Sequence, residues 1–166
     1  MFKKILVPLD GSALAATILP QVEDLASSQK SEITLLTAVS PQGMFAVGLA
    51  AEVSSRLGDE IIESTMSRLK ASSEKYLSET AAALKSKGLK ANWVYREGVP
   101  AREIIRYAEE ARCDLIAMAT HGRGEIAWVL GSVAEQVVTH APVPVLLLRV
   151  LKVQPLLEKQ EVLTGP

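Results

Sequence analysis

Four short segments of the chain are apolar at nearly every position, and no other feature restricts the fold as strongly. They are ILVPL (5–9), ITLLTAV (33–39), DLIAMAT (114–120) and VPVLLLRV (143–150), while a fifth segment, ANWVYRE (91–97), is more polar. A strand with one face in water alternates apolar and polar residues, whereas a strand covered on both faces reads as a continuous apolar run. The four runs therefore predict buried parallel strands, and the fifth segment predicts a strand near an edge.

Between these runs the apolar residues recur at helical spacing. Segments 12–26, 62–84 and 100–111 each place apolar residues on one face, with Gly88 and Pro100 as a helix stop and a helix start. Ser132 begins a fourth helix, in which Glu135 three residues later completes a capping box. Strands that alternate with helices predict an α/β fold, an open doubly wound parallel sheet with helices on both faces.

The size and composition of the chain favour one domain. Its 166 residues, 48% of them hydrophobic, supply a substantial core, and we expect the domain to span 1–150 with a C-terminal tail over 151–166. The formal net charge of −1 gives no basic surface for nucleic acid, and no apolar run approaches membrane-spanning length. The single Cys113, predicted to be a core residue, excludes an intrachain disulfide and favours the cytoplasm.

Three glycines surround one predicted strand-to-helix junction, in the stretch ATHGRGEIAWVLGSVAEQVV (119–138). Glycine is costly to order, so the cluster needs a physical reason. A helix N-terminus offers unpaired N–H groups and a partial positive charge, which suit a phosphate, and glycines let the backbone approach it. Ser132 adds a hydroxyl donor and Arg123 a positive charge. In the alternative, Ser132 only caps its own helix and no ligand binds.

Two familiar phosphate motifs do not fit this junction. A Walker A loop requires a lysine before its Ser or Thr, but Gly131-Ser132 is preceded by Leu130. The segment from Gly122 to Ala127 matches the loose dinucleotide pattern, yet no acidic residue ends the next strand to hold a ribose. The sequence has no metal-ligand cluster, no Ser-His-Asp signature and no paired carboxylates near the glycines. We therefore predict no catalytic residue and no metal site.

The segments ILVPLDGS, EGVPAREI, MATHGRG…VLGSVAEQVV and APVPVLLL strongly resemble the universal stress protein family, in the right order over residues 2–150. The resemblance implies a five-stranded parallel sheet of the Rossmann-like, adenine nucleotide alpha-hydrolase-like kind, and commonly a homodimer. One branch of the family binds ATP through the motif Gly-x2-Gly-x9-Gly-Ser/Thr. This sequence departs from that motif twice, because Ala119 replaces the first glycine and eight residues separate Gly122 from Gly131.

The resemblance also assigns residues to the base and the ribose of a bound nucleotide. It implies that Pro8 and Leu9 line the base pocket, with Ala38 and Met118 near the adenine. It makes Asp10 the acceptor of the ribose hydroxyls, a role that suits a carboxylate at the carboxyl end of the first strand. In the alternative, Asp10 caps the first helix together with Ser12.

Further residues are assigned to the phosphates in the same way. The resemblance places Ala119, His121 and Gly122 along the ribose and α-phosphate, and Gly131, Ser132 and Val133 at the outer phosphates. It implies ATP or AMP as the ligand, with Mg²⁺ accompanying the phosphates. Any hydrolysis of ATP is expected to be slow.

The leading functional hypothesis is a stress-response regulatory homodimer that binds an adenine nucleotide. The alternative is a family member without nucleotide binding that acts as a dimeric protein-interaction module. The last strand, from Val145 to Val150, is predicted to lie at an edge of the sheet and to pair with its copy in a second chain. A monomer whose own tail covers this edge is the alternative.

Overall fold

The computed structural model of the chain describes residues 1–40, 55–121 and 131–150. Five strands are formed: β1 (Lys4–Pro8), β2 (Glu32–Val39), β3 (Lys90–Glu97), β4 (Leu115–His121) and β5 (Val145–Val150). The described helices are α1 (Ala13–Ala16), α2 (Leu19–Gln29), α3 (Ser55–Ser86), α4 (Pro100–Glu110) and α5 (Ser132–His140). Strands and helices alternate along the chain as the sequence predicts. Among the described residues, no helix combines the length and the apolar character needed to cross a membrane.

The five strands form one parallel sheet in the order β3-β2-β1-β4-β5. From β1 the chain adds β2 and β3 on one side, and then returns to add β4 and β5 on the other. The strand order therefore reverses between β1 and β4, and the carboxyl ends of these two strands form the place where open α/β sheets bind ligands. The predicted edge position of segment 91–97 is confirmed, since β3 is an outer strand.

Apolar side chains of the sheet are buried on both of its faces. Ile5 and Val7 of β1 pack in one cluster with residues of α2 and α3, and Leu6 packs in the other with residues of α4 and α5. All three side chains are fully buried. This two-sided burial explains the continuous apolar runs and confirms the prediction of a doubly wound sheet.

The helix predicted over 12–26 is wrong in its boundaries, because the structure has two helices there. α1 ends at Ala16 with Thr17 as its C-cap, and α2 begins at Leu19 with Pro20 in its first turn. Proline has no N–H to donate, and its ring clashes with the preceding turn, so one continuous helix is disfavoured. The predicted stop at Gly88 is confirmed, since α3 ends at Ser86 and Gly88, two residues later, has a φ of +81°. Pro100 occupies the first turn of α4, also as predicted.

Candidate functional site

A cavity of about 390 Å³ opens at the carboxyl ends of β1, β2 and β4. It lies at the point where the strand order reverses, and it also touches residues of α1, α4 and α5. Its volume is in the range of small-molecule sites. Fold topology and cavity position thus agree on one place for a ligand.

The cavity brings together nine of the twelve residues that the sequence assigned to a nucleotide. They are Pro8, Leu9, Asp10, Ala38, Met118, Ala119, Gly131, Ser132 and Val133. His121 is the last residue of β4, while Gly122 and Arg123 lie outside the described residues. The three strand ends and the start of α5 therefore meet as predicted, and the roles of these residues stay predictions.

The start of α5 differs from the predicted capping box. Gly131, not Ser132, is the N-cap, and its C=O accepts the Glu135 N–H at 2.9 Å. No side chain caps the helix, so the predicted pairing of Ser132 with Glu135 is wrong. The reason is local, because Gly131 adopts the extended conformation of a cap (φ −60°, ψ 148°) and Ser132 becomes the first helical residue. Within the described part of the chain, the exposed Ser132 hydroxyl forms no hydrogen bond.

Gly131 has no conformational need to be a glycine. Its φ of −60° is allowed for every residue type. Among the described atoms, a Cβ added to it would meet only the Thr120 hydroxyl oxygen, at 4.0 Å. Gly131 lines the cavity, so its missing side chain leaves room there relative to the described residues. The N–H groups that follow are the first of α5 and have no acceptor within the helix.

Asp10 lies in the turn between β1 and α1. Its Oδ1 accepts the Ser12 N–H at 2.9 Å, and the Ser12 hydroxyl oxygen accepts the Ala15 N–H at 3.0 Å as the N-cap of α1. Ser12 therefore caps α1, and the bond to Asp10 stabilises the turn in which Gly11 has a φ of +81°. No described residue bonds to the second carboxylate oxygen, and the side chain is exposed at the cavity. Of the two residues in the alternative of a shared cap, Ser12 is the N-cap, and Asp10 takes part only by accepting the Ser12 N–H.

Two buried threonines at the site were missed by the sequence analysis. The Thr37 hydroxyl donates to the Leu9 C=O at 2.7 Å, and the Thr120 hydroxyl oxygen accepts the Gly131 N–H at 3.4 Å. Their exposed fractions are 4% and 3%. Each threonine interrupts an apolar run near its carboxyl end, in ITLLTAV and in DLIAMAT. A hydroxyl at that place in a buried strand is a sequence signal that finds both residues.

The wall of the cavity near β2 and α4 is apolar. Met118 and Ile104 are buried, and Pro8 and Ala38 continue the same surface. Such a wall suits a flat heteroaromatic ring. Cys113 is buried in the core next to this region, as predicted, and burial raises the pKa of its thiol. Among the described residues, no group of three His, Cys, Asp or Glu side chains is arranged to hold a metal ion.

Sequence comparisons identify relatives along most of the chain. The profile of the universal stress protein family matches residues 1–149. Universal stress protein MJ0531 of Methanocaldococcus jannaschii is 33% identical over 150 residues, which make up 90% of this chain and 83% of that protein. Universal stress protein YxiE of Bacillus subtilis is 30% identical over 150 residues, or 90% of this chain and 100% of that protein.

Solved structures share the same architecture. Universal stress protein UspA from Lactobacillus plantarum has a TM-score of 0.71 at 21% identity, over 89% of this chain and 98% of that chain. A universal stress protein in complex with cAMP has a TM-score of 0.60 at 19% identity, over 89% and 97% of the two chains. An Arabidopsis thaliana family protein with AMP bound has a TM-score of 0.60 at 17% identity, over 89% and 91%. These likenesses confirm the predicted five-stranded parallel α/β fold.

Proposed function

The chain belongs to the universal stress protein family, and we propose that it binds an adenine nucleotide, ATP or AMP, as a cytoplasmic stress-response regulatory homodimer. The observation that carries the proposal is the cavity at the carboxyl end of the sheet, which nine of the predicted residues line. Two structurally similar proteins hold cAMP and AMP. The proposal extends that class of ligand to this chain on the chemistry of its own cavity.

The phosphates would lie at the start of α5. Gly131 leaves room for them, the unpaired N–H groups of the first turn point toward them, and the Ser132 hydroxyl adds a donor. Glu135, one turn into the helix, opposes an anion through its charge. The negative charge of Glu135 reduces the positive potential at the start of α5. We therefore expect hydrogen bonds from backbone N–H groups, and not a large positive potential, to hold the phosphates.

The ribose would lie against Asp10. A carboxylate is a strong acceptor for hydroxyl donors, and one of its two oxygens is already fixed by the Ser12 N–H. That bond holds the carboxylate in place before the ligand arrives. A fixed acceptor loses little freedom on binding, which strengthens the interaction.

The base would lie against the apolar wall and be recognised by backbone groups of β2. Ala38 is in the part of β2 that extends beyond the end of β1, whose last paired residue is Pro8 opposite Leu36. An outward N–H and C=O from one residue can pair with the N1 acceptor and the N6 donor of adenine. Guanine presents an acceptor and a donor in the reverse order, so the same backbone pair disfavours it.

Mg²⁺ would enter with the phosphates of ATP, since the described residues provide no ligand cluster of their own. Any hydrolysis of ATP is expected to be slow. The eight residues between Gly122 and Gly131, one fewer than in the ATP-binding motif, make the choice between ATP and AMP a property to be measured.

Identification of the bound molecule tests this proposal directly. Purified protein is denatured, and the released small molecules are separated by chromatography with detection of adenine absorbance. Titration calorimetry of ligand-free protein then compares ATP, AMP, adenosine and GTP. An adenine ligand with GTP binding at least about tenfold weaker supports the proposal, a difference expected for one mismatched hydrogen-bonding pair. If none of the four ligands binds, the proposal is rejected in favour of the second candidate.

The second candidate is a family member that has lost nucleotide binding and acts as a dimeric protein-interaction module. Ala119 in place of the first motif glycine favours this candidate, because it adds a methyl group at a position that the resemblance assigns to the ribose. Ala119 is partly buried at the cavity, so the methyl group removes little of the available volume. The cavity therefore favours the first candidate.

The homodimer is proposed from the exposed edge of β5. Among the described strands, β5 pairs with β4 alone. Leu146 is 39% exposed on it, and the outer strand of a sheet is a common place for pairing with a second chain. Antiparallel pairing with a second copy across a two-fold axis would cover this strand.

A further inference from the structure

The ladder of backbone hydrogen bonds between β1 and β2 ends one bond before the point that the register of the two strands would allow. The Leu9 N–H still donates to the Leu36 C=O at 2.8 Å. The next bond in a parallel ladder would join the Ala38 N–H to the Leu9 C=O. That bond is not formed between these two described residues.

A side chain takes the place of the missing backbone bond. The Thr37 hydroxyl donates to the Leu9 C=O at 2.7 Å, and the residue is 4% exposed. The carbonyl that would accept the Ala38 N–H is therefore already paired. A carbonyl oxygen can accept two hydrogen bonds, but the Leu9 oxygen accepts the hydroxyl and not the Ala38 N–H, so the two donors act as competitors here.

The Ala38 N–H and C=O consequently point past the end of β1. Neighbouring residues of a strand direct their backbone groups to opposite sides, and the Val39 C=O accepts the Gly98 N–H on the β3 side at 2.9 Å. The Ala38 groups must then face the β1 side, where Leu9 is engaged with Thr37. Ala38 lines the cavity, so its donor and acceptor are available to a ligand there.

We propose that Thr37 is a specificity-determining positioning residue, whose hydroxyl holds the Leu9 carbonyl away from Ala38 and so keeps the Ala38 N–H and C=O open for an adenine base. This inference rests on the proposed nucleotide site and adds the residue that makes its base selectivity possible. Thr37 itself touches no ligand. It acts through Leu9 and Ala38.

The first test measures the Ala38 amide in ligand-free protein by NMR hydrogen exchange. In Thr37→Val the hydroxyl is lost at nearly constant volume, the Leu9 C=O pairs with the Ala38 N–H, and exchange at Ala38 slows by at least about tenfold, the effect of one hydrogen bond. Thr37→Ser keeps the donor and restores fast exchange. Thr34→Val is the matched control, since Thr34 is also buried in β2 but forms no bond to Leu9.

The inference is overturned if the Ala38 amide exchanges at the same rate in the wild type and in Thr37→Val, whether that shared rate is fast or slow. Unchanged behaviour of Thr34→Val supports a local effect. If that control slows Ala38 as strongly, the change comes from the strand as a whole and the inference is wrong.

The second test measures binding of AMP and GMP to the same variants. Thr37→Val should bind AMP about tenfold more weakly and lose most of the preference over GMP, while Thr37→Ser should behave as wild type. Full preference in Thr37→Val would contradict the specificity role. If no variant and no wild-type protein binds either nucleotide, the proposed function fails, whereas the exchange result still decides whether Thr37 controls Ala38.

Discussion

The Gly131 N–H lies 3.4 Å from the Thr120 hydroxyl oxygen, and this contact ties the first residue before α5 to the carboxyl end of β4. Thr120 is 3% exposed, so its hydroxyl is held by the surrounding core. The contact fixes where the unpaired N–H groups of α5 lie relative to the strand ends. A phosphate site of this kind depends on that placement, because backbone donors cannot turn toward a ligand on their own.

Gly131→Ala should weaken binding of AMP and ATP without unfolding the protein. The φ of −60° accepts alanine, and the added Cβ meets no described atom closer than 4.0 Å. Alanine is a poorer N-cap than glycine but lowers the entropy of the unfolded chain, so stability should change by less than about 1 kcal/mol. The methyl group should cost about 1–3 kcal/mol of binding free energy, as overpacking does. Calorimetry and thermal unfolding measure the two effects.

Gly11→Ala is the control for this prediction. Gly11 has a φ of +81° with no described atom within 4 Å of an added Cβ, so alanine is strained there although the described residues leave it room. We expect a stability loss of about 1–2 kcal/mol. A large stability loss in Gly131→Ala, matching that of Gly11→Ala, would show that Gly131 serves the fold and not a ligand.

Ser132→Ala should lower affinity for ATP and AMP more than affinity for adenosine. Its hydroxyl caps nothing and forms no hydrogen bond within the described part of the chain, so thermal stability should stay unchanged. Ser12→Ala removes a true N-cap bond, to the Ala15 N–H, and should cost about 1 kcal/mol of stability. Loss of stability in Ser132→Ala with unchanged affinity would restore the capping role that the sequence first suggested.

Asp10→Asn should weaken ATP, AMP and adenosine alike, by about 1–3 kcal/mol, because all three carry the ribose. Asparagine keeps an oxygen that can accept the Ser12 N–H, so the turn should survive while the negative charge is lost. Asp10→Ala removes both and should also reduce stability. A phosphate-dependent loss, confined to ATP, would place Asp10 near the phosphates or a cation.

The sequence predicted the elements that burial dictates. Two-sided burial of Leu6 and Val7 leaves a continuous apolar run, and a run of this kind has few structural explanations. The resemblance then identified residues that line the cavity, because the topology of the sheet fixes which residues, such as Pro8 at the end of β1, lie at its carboxyl edge. The hydrophobic pattern and the topology each depend on many residues, so both could be predicted from the sequence.

The sequence did not predict which of two competing hydrogen bonds would form. Ser132 and Glu135 have the spacing of a capping box, yet Gly131 caps the helix one residue earlier. The two outcomes differ by one residue at a helix end, and the sequence pattern fits both. The bond from Thr37 to the Leu9 carbonyl likewise depends on where β1 stops, which no local pattern fixes.

Cys113 should make stability fall at alkaline pH. Burial raises the pKa of its thiol above the ordinary value of 9.0, with Asp114 adding to the shift and Lys4 opposing it. The folded protein then holds the proton more tightly than the unfolded chain. This contribution to stability is fully present below pH 9.0 and is lost as the pH rises through the folded pKa.

Urea unfolding of wild type and Cys113→Ala, between about pH 7 and pH 10, measures the effect. The difference between their free energies of unfolding should be constant at first and shrink at the alkaline end. The native thiol should also react slowly with alkylating reagents, because it is 6% exposed. A difference that stays constant throughout would show that the thiol titrates normally.

Leu146→Lys should shift the proposed homodimer toward monomer. Its neighbours Leu147 and Leu148 are partly buried and pack against the two opposite core clusters, so lysine there would also damage the fold. Leu146 is 39% exposed on the outer strand, and a two-fold axis would bring two lysines to one interface. We expect the dimer dissociation constant to rise at least about tenfold, measured by light scattering at micromolar concentration.

Val138→Lys is a control at an apolar position of similar exposure (45%), and Trp93→Lys tests the opposite edge, where Trp93 is 38% exposed on β3. Dissociation by Trp93→Lys alone would assign the interface to β3, and a monomeric wild-type protein over the same range would refute pairing through β5.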